Sequence, residues 1–297
     1  MGDYQVFFNG SIVPASQACV SIGDAGLLHG ASVFTTMLAR NLKVFRLEQH
    51  LARLGETVRL LNLRTDATVD MLTSAVENVL AANNLPDARM RITLTPGNMA
   101  QDKPTTIVTA EPLGDLPAHW YLKGITVVVS SFKQGRGDPA YGYKTGSYLS
   151  RVLARQEAAA KGADEALWYT HDNHLAEACF SNVFLVQDGK VFTPPRDTPV
   201  LPGIVRGAVL ELCSQLGIAA DDQTPLTVRE MLGANEVFVT SSLSGIRPVV
   251  RVERHAVGDE KPGEITRRLM AAYQDLLDKE CPAPGQSPPA ATRKEPS

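Results

Sequence analysis

The first candidate for chemistry in this sequence is a lysine set among small and aromatic residues. Lys144 lies between Tyr141-Gly142-Tyr143 and Thr145-Gly146-Ser147-Tyr148, and the next acidic residue along the chain is Glu157. A lysine without an acidic partner in a semi-apolar site loses proton affinity, and its neutral amine can attack a carbonyl carbon to form a Schiff base. Lysines are usually solvated surface residues, and this stretch alone favours that interpretation.

The second candidate is a carboxylate in a stretch that we expect to form a buried strand. Alternation places Leu175, Glu177 and Cys179 on one face of that strand, with Glu177 between two alanines. A buried carboxylate needs a cationic or hydrogen-bonding partner, and a protonated ring nitrogen would serve. A glutamate at a strand edge, directed towards solvent, is an equally open alternative.

Two further stretches have the character of phosphate contacts. Arg46, in Phe45-Arg46-Leu47, opens a predicted helix, where a guanidinium beside free backbone N–H groups suits a phosphate. Leu201-Pro202-Gly203-Ile204-Val205 leads without a bulky cap into another helix, whose dipole attracts anions. A surface arginine and an ordinary turn are the alternatives for each stretch taken alone. Together, a lysine, a carboxylate and two phosphate contacts indicate a pyridoxal phosphate site.

The elements that position these residues follow from hydrophobic periodicity. Asn9-Gly10 between the apolar runs 5–8 and 11–13 predicts a hairpin. Spacing of three and four predicts helices over 45–62, 69–83, a segment ending near 160, 204–216, 228–232 and 263–277. Apolar runs bounded by turn residues predict strands over 89–95, 105–110, 125–132, 165–169, 183–186, 191–193 and 236–240. Because these elements lack regular βαβ alternation, we expect an α+β fold.

Composition divides the chain into two domains and a tail. Prolines and glycines interrupt the pattern over 116–124, which predicts a linker between an N-terminal α/β domain (1–115) and a cofactor-binding α/β domain (125–279). Residues 280–297 are rich in Pro, Ala and Ser and are predicted to be a disordered tail.

Composition also excludes several classes of function. With 297 residues and a net charge of -3, the chain is long enough for sizeable cores but has no electrostatic footprint for nucleic acid or an anionic membrane. No apolar run approaches membrane-spanning length and the N-terminus does not open a signal peptide, so we expect a cytoplasmic protein. The four cysteines lack CxxC spacing and are expected to be reduced thiols, and no metal site is predicted.

The motifs, in their order along the chain, resemble the class IV aminotransferases, the fold type IV group of pyridoxal phosphate enzymes. That group includes branched-chain aminotransferase, D-amino acid aminotransferase and 4-amino-4-deoxychorismate lyase. The matching runs are Phe45-Arg46-Leu47, Lys144 with Tyr148-Leu149, Ala176-Glu177, Ser181-Asn182-Val183-Phe184, Thr193-Pro194-Pro195, Leu201-Pro202-Gly203-Ile204 and Thr240-Ser241-Ser242-Leu243. The resemblance implies a two-domain α+β fold like that of D-amino acid aminotransferase, with the cofactor between the domains. It also implies a homodimer whose partner loop completes the substrate pocket.

The resemblance further implies a role for each matching residue. Lys144 corresponds to the Schiff-base lysine and proton carrier, Glu177 to the partner of the pyridine nitrogen, and Tyr148 to an aromatic residue lining the cofactor. The residues implied to hold the cofactor phosphate are Arg46, Gly203, Ile204, Val205, Ser241 and Ser242. Val205 stands where the family usually has threonine, which removes a hydroxyl contact but leaves the backbone N–H.

Three reactions remain open from the sequence. The leading hypothesis is amino transfer between an amino acid, of branched-chain or D-amino acid type, and a 2-oxo acid. The alternative is the lyase, which eliminates pyruvate from aminodeoxychorismate in folate and p-aminobenzoate synthesis. The three residues between Lys144 and Tyr148, the Ser241-Ser242-Leu243-Ser244 turn and Phe34-Thr35-Thr36 all resemble the lyase and D-amino acid branch, and Phe34-Thr35-Thr36 resembles the lyase in particular. The third, a non-catalytic pyridoxal phosphate carrier, has no need of both Lys144 and Glu177.

Contacts to the small-molecule substrates are the least determined. The candidates are His29, Thr35, Thr36, Arg91 and Leu243. Arg91 could match the arginine that branched-chain enzymes use for acidic side chains, and Arg40 and Arg247 are further candidates for a carboxylate. Each of these arginines could equally be a surface residue, and for Arg40 we favour that interpretation. His29 is equally compatible with a packed structural role.

Overall fold

Residues 5–112 build a six-stranded antiparallel sheet. The structure is a computed structural model and describes residues 3–101, 103–135, 137–138, 141–283 and 285. The strands are β1 (Gln5–Phe8), β2 (Ser11–Pro14), β3 (Val33–Arg40), β4 (Lys43–Val44), β5 (Ala88–Asn98) and β6 (Lys103–Pro112), in the order β2-β1-β6-β5-β3-β4. The helices of this half are α1 (Ala25–His29), α2 (Leu47–Leu60) and α3 (Val69–Asn83). The predicted hairpin is confirmed as β1–β2, with Asn9 and Gly10 both at positive φ.

The core of this half lies between the sheet and the helices α2 and α3. Met37, Met90 and Ile92 are fully buried on the sheet and belong to one cluster with Leu54 of α2 and Val79 of α3. The apolar spacing along both helices therefore identified the faces that pack on the sheet. Burial of such side chains stabilises the fold by about 1.5–3 kcal/mol each relative to exposure.

Residues 119–280 build a larger mixed sheet with helices. Its strands are β7 (Ile125–Gln134), β8 (Glu165–Thr170), β9 (Leu175–Ala178), β10 (Asn182–Gln187), β11 (Lys190–Phe192), β12 (Ala220–Asp221), β13 (Glu236–Ser241), β14 (Gly245–Val252) and β15 (His255–Ala256). They follow the order β12-β11-β10-β13-β14-β7-β8-β9, with β15 beside β14. The helices are α4 (His119–Leu122), α5 (Leu149–Ala160), α6 (Ile204–Gln215), α7 (Val228–Leu232) and α8 (Glu264–Glu280).

The α+β fold predicted from the sequence is confirmed, but two long strands were not foreseen. In β3 both faces are largely buried, so its apolar residues do not alternate with polar ones and periodicity cannot identify it as a strand. In β14 Pro248 lies opposite Phe238 inside the sheet, a position that proline normally avoids. Both strands have a neighbour on each side in their sheets, and burial there overrides the local signals.

The two sheets meet at the segment that contains Lys144. The Phe34 N–H donates to the Lys144 carbonyl at 2.9 Å, and the Gly146 N–H donates to the Ser32 carbonyl at 2.7 Å. Leu38 and Phe45 also pack into a cluster of the second half. The lysine is therefore attached through its main chain to the beginning of β3.

The predicted domain limits (1–115, 116–124 and 125–279) stay a prediction, as does the tail. The change from one sheet to the other falls between Pro112 and Ile125, around α4. Of the predicted tail, Glu280 ends α8, whereas residues 284 and 286–297 lie outside the described residues. In the described part of the chain, no helix has the length and apolar character needed to cross a membrane.

The attachment of Lys144 leads to a stability prediction at Gly146. A methyl group there would collide with the Ser32 hydroxyl and lie 3.1 Å from the Gly30 carbonyl oxygen. We expect Gly146→Ala to lower the free energy of unfolding by about 1–3 kcal/mol, measured by urea denaturation. Gly55→Ala in α2, where a Cβ meets nothing within 4 Å, should be neutral or stabilising. A urea midpoint of Gly146→Ala equal to that of wild type would contradict the close approach of residue 146 to Gly30 and Ser32.

Candidate active site

A cavity of about 250 Å³ lies where the two sheets meet. The first sheet contributes Phe34 and Thr36 of β3 and Arg89 and Arg91 of β5 to its wall. The second half contributes Lys144, Glu177, the beginning of α6 and the turn between β13 and β14. Both halves of the chain are therefore needed to form this one cavity.

Lys144 projects into the cavity among aromatic rings. Its Nζ donates to the Tyr148 Oη at 3.1 Å and lies 4.9 Å from the centre of the Phe34 ring. Burial lowers the pKa of Lys144, the nearby Tyr148 opposes the shift, and the charges of Arg53 and Arg151 add to it. Among the residues that the structure describes, no acidic side chain forms an ion pair with this amine. Lys144 is thus suited to act as a nucleophile towards a carbonyl carbon.

Glu177 lies in the same cavity and is almost completely buried. Its Oε1 accepts from Arg151 at 2.5 Å and from the Gln134 Nε2 at 3.0 Å, and its Oε2 accepts from the Leu201 N–H at 3.0 Å. The cationic partner that a buried carboxylate requires is therefore Arg151, a residue that the sequence did not single out. Arg151 shares the buried face of α5 with Ala154 and Ala158, and this spacing was the available signal.

The beginning of α6 forms an anion-binding corner. Gly203 caps the helix without a side-chain hydrogen bond, and the first turn has no acidic residue. Ile204 and Val205 line the cavity there, and the facing turn supplies the larger set Thr240, Ser241, Ser242 and Leu243. The Thr240 Oγ1 is buried and has no hydrogen-bond partner within the described residues. Free helical N–H groups beside an unsatisfied hydroxyl suit a phosphate.

Arg53 supplies the positive charge at this corner. It lines the cavity, and its guanidinium donates to the Pro202 carbonyl at 3.2 Å and to the Thr35 hydroxyl at 3.1 Å. Burial lowers the pKa of Arg53 to about 10, so the side chain remains charged at neutral pH. In α2, the buried polar residues His50, Arg53 and Thr57 follow helical spacing, which could have identified Arg53.

The structure contradicts the role predicted for Arg46. Its guanidinium contacts the carboxylates of Glu211 at 2.6 Å and Glu280 at 3.3 Å, and the residue is absent from the cavity wall. Arg46 joins α2 to α6 and α8 through these two ion pairs. The sequence argument correctly placed an arginine at the start of α2, but the arginine two turns later faces the cavity.

The role predicted for Thr35 is also corrected. Thr35 is fully buried, lies on the face of β3 opposite Thr36, and its hydroxyl is 2.8 Å from the Nδ1 of His50. Burial, together with the charges of Arg53 and Lys144, lowers the pKa of His50 well below its usual value. Thr35 and a neutral His50 thus hold Arg53 in place from behind the cavity wall.

The remaining substrate candidates form two groups, those that line the cavity and those that do not. Thr36, Arg91 and Leu243 line the cavity, and the Arg91 guanidinium lies 3.7 Å above the Phe34 ring. His29 is exposed on α1 and is not part of the wall in its own chain, contrary to expectation. Outside the cavity, Arg40 pairs with Asp278 and Arg247 pairs with Glu165. Substrate-binding roles for the first three stay predictions.

Cys179 is a poor nucleophile, and the described His, Cys, Asp and Glu side chains form no metal-binding group. Cys179 lines the cavity, but burial raises the pKa of its thiol to about 12, and Trp168 donates to its Sγ at 3.4 Å. All four cysteines are free, as predicted. Over the described ranges, no group of three or more His, Cys, Asp and Glu side chains could hold a metal ion.

Comparison with known proteins gives consistent results for sequence and fold. The sequence model of amino-transferase class IV matches residues 32–252. The branched-chain-amino-acid aminotransferase of Escherichia coli K12 is 31% identical over 292 residues, which cover 94% of each chain.

Solved structures with this fold include the E. coli branched-chain enzyme, with a TM-score of 0.89, 30% identity and coverage of 94% of this chain and 96% of that chain. The T.th. branched-chain enzyme with pyridoxamine 5′-phosphate has a TM-score of 0.89, 25% identity and coverage of 95% and 96%. That enzyme has also been solved with 4-methylvaleric acid and with N-(5′-phosphopyridoxyl)-L-glutamate.

The lowered pKa of Lys144 leads to a pH-dependent stability prediction. Since the folded-state pKa lies below the ordinary lysine value of 10.5, the unfolded chain binds more protons between the two values, and stability rises with pH in that window. We expect Lys144→Met to be more stable than wild type at neutral pH, with a difference that narrows towards about pH 10. Urea unfolding of cofactor-free protein at several pH values measures this difference in the free energy of unfolding. The exposed Lys123→Met is the control, and a pH-independent difference for Lys144→Met would contradict the assignment.

Proposed function

Since the chain belongs to the class IV aminotransferases, we propose that it moves an amino group between a branched-chain L-amino acid and a 2-oxo acid, with pyridoxal 5′-phosphate held at Lys144. Class IV aminotransferases use pyridoxal phosphate, and the T.th. relative was solved with the pyridoxamine form of this cofactor. The observation that carries the proposal is the single cavity containing an amine of lowered pKa, a buried carboxylate and an anion-binding corner.

The residues present fit this cofactor. Lys144 is a nucleophile for its carbonyl carbon, and Glu177 is a buried carboxylate for its ring nitrogen. For its phosphate, the uncapped start of α6, the Arg53 guanidinium and the unpartnered Thr240 hydroxyl converge on one corner. The predicted contacts of Gly203, Ser241 and Ser242 belong to the same corner, whereas Arg46 does not.

When bound, pyridoxal phosphate supplies a carbonyl group and a ring that accepts the electron pair left by removal of the Cα proton. We infer that Lys144, once its amine is free, carries that proton to and from the substrate carbon. The Tyr148 hydroxyl, which accepts from Lys144 at 3.1 Å, orients the amine. Phe34 and Tyr148, whose rings meet edge to face at 5.1 Å, exclude water around it.

The wall of the cavity supports a branched-chain amino acid and a dicarboxylic partner as substrates. Phe34, Tyr143 and Leu243 provide apolar surface for an aliphatic side chain. Arg89 and Arg91 lie on the same face of β5 and provide charge for a second carboxylate. The T.th. relative has been solved with a branched aliphatic acid and with an L-glutamate adduct, and we extend both preferences to this chain.

The lyase alternative is less supported. It was favoured by local departures at Phe34-Thr35-Thr36 and the Ser241–Ser244 turn, but the relatives that match over nearly the whole chain at about 30% identity are aminotransferases by name. Thr35, part of that local argument, is directed away from the cavity. The chemistry of elimination would use the same lysine, so the reaction has to be tested directly.

A homodimer and a cytoplasmic location stay predictions. Apolar side chains are exposed around α1, where Ile22 is 88% and Leu27 is 64% exposed, and on α5, where Leu149 is 73% exposed. These surfaces support a second copy as their cover.

The proposed reaction predicts a half-reaction without any 2-oxo acid. Mixing the holoenzyme with L-leucine or L-glutamate should bleach the visible absorbance of the cofactor and give the pyridoxamine form, whereas D-alanine should not. Lys144→Ala is the control and should show no such change. Bleaching only by D-alanine would overturn the substrate assignment. No bleaching at all, with pyruvate released from aminodeoxychorismate, would support the lyase.

The phosphate corner predicts that Arg53, not Arg46, controls cofactor affinity. Loss of a charged hydrogen bond costs about 1.5–3 kcal/mol, so Arg53→Met should raise the dissociation constant for pyridoxal phosphate by about 10- to 100-fold. Arg46→Met removes a buried guanidinium of similar size from the same helix region and should leave this constant close to wild type. Equilibrium dialysis of both variants measures it. Equal effects of the two substitutions would argue against the corner.

A further inference from the structure

Arg151 is a buried charge in the cavity that the proposed reaction has not yet used. Its side chain is 6% exposed and that of Glu177 is 3% exposed. One guanidinium nitrogen donates to Glu177, and the other donates to the carbonyls of Ala178 at 3.2 Å and Cys179 at 2.9 Å. Arg151 therefore binds both the side chain of Glu177 and the backbone that follows it.

Arg151 remains charged and paired with Glu177 although both side chains are buried. Burial by itself lowers the pKa of Arg151, but the carboxylate of Glu177 outweighs it and the pKa is raised. The guanidinium also lies 5.3 Å from the Tyr148 ring centre and 5.6 Å from the Trp168 ring centre, distances at which an aromatic face attracts a cation. Arg151 is thus a fixed positive charge in direct contact with Glu177.

We propose that Arg151 is a positioning residue that determines where the proton between Glu177 and the cofactor resides. The inference rests on the proposed function, in which the ring nitrogen of pyridoxal phosphate meets Glu177. One proton can lie on the ring nitrogen, with Glu177 an anion, or on Glu177, with both groups neutral. The guanidinium favours the first arrangement, because it is in direct contact with the carboxylate and stabilises the anionic form of Glu177.

The strength of the electrostatic attraction between Arg151 and Glu177 supports a proton on the ring nitrogen. Coulomb energy falls with distance, so the attraction between Arg151 and the anionic carboxylate at 2.5 Å is strong, and it is lost when Glu177 takes up the proton. A protonated ring accepts the electron pair of the substrate carbon better than a neutral one. Through Glu177, Arg151 therefore strengthens the electron-accepting capacity of the cofactor.

Other groups near the pair do not replace this charge. Gln134 and the Leu201 N–H, which also donate to Glu177, are uncharged. The titratable and charged groups around the pair and its two ends are Lys144, Arg53, Tyr148, Cys179 and, beyond Cys179, Glu165. Of these, the cations Lys144 and Arg53 do not hydrogen-bond to Glu177. Arg151 is the cation in contact with the carboxylate.

The test is the resonance of a 15N-labelled ring nitrogen in the bound cofactor, recorded by NMR between about pH 6 and pH 9. Wild type should show a protonated nitrogen. Arg151→Gln, which keeps a donor but removes the charge, should move the resonance towards the neutral nitrogen and slow the half-reaction by about 10- to 100-fold, as loss of an outer partner does at other cofactor ligands. Arg151→Lys, which restores the charge, should recover most of both effects.

The matched control is Arg247→Gln. Arg247 forms a second buried pair with Glu165, with the same side-chain exposures of 6% and 3%, but lies outside the cavity wall. Its loss should reduce stability without moving the ring-nitrogen resonance. If Arg151→Gln folds only with cofactor, this variant is refolded in the presence of the labelled cofactor. If it does not fold at all, Arg151→Lys still tests the proposal, because its ring-nitrogen resonance must match wild type.

The outcomes distinguish the two proposals. A wild-type protein that takes no cofactor on Lys144, or that fails the half-reaction, would contradict the proposed function. A wild-type protein that passes both but shows a neutral ring nitrogen would overturn the role of Arg151. So would an Arg151→Gln resonance that equals wild type, or an Arg151→Lys resonance that equals Arg151→Gln.

Discussion

The interaction on which the site depends is the main-chain pairing between the start of β3 and the segment of Lys144. Two hydrogen bonds, from Phe34 to Lys144 and from Gly146 to Ser32, tie a loop of the second half to the sheet of the first. Because these bonds involve backbone atoms, they fix the position of the lysine whatever its side chain binds. Glu177 and the start of α6 belong to the other sheet, so this pairing sets the lysine in register with them.

The charged side chains in the cavity wall are mostly positive. Arg53, Arg91 and Arg151 line it together with Lys144, whereas Glu177 is the carboxylate of its wall. Arg151 neutralises that carboxylate, and Arg53 and Arg91 contribute charge elsewhere in the same wall. Burial lowers the pKa of Lys144, and the positive charges of Arg53 and Arg151 add to this effect. The excess of positive charge also attracts anionic groups. A phosphorylated aldehyde and an amino acid carboxylate are compatible with that field.

The sequence predicted most of the periodic elements and the order of the motifs, but not their partners. The helices α2, α3 and α6 were predictable because each has one apolar face. β3 was not, because a strand covered on both sides does not alternate. Lys144 and Glu177 were found from residue type and neighbours, whereas Arg53 and Arg151 required knowledge of which face of a helix meets another element. The error at Arg46 has the same cause, since local sequence does not reveal that Glu211 and Glu280 approach from distant helices.

The pairing of Gly146 with Ser32 also has a consequence for how this chain can vary. Most apolar residues of each half pack within that half, although Leu38 and Phe45 belong to a cluster of the second half. The contact between the halves is different, because a small residue at 146 is required by the backbone and hydroxyl near residues 30–32. In a chimera that joins residues 1–112 of one relative to the remainder of another, the contact of residues 30–32 with residue 146 and the packing of Leu38 and Phe45 would both have to match. Recombination between relatives is therefore constrained at this seam more than inside either half.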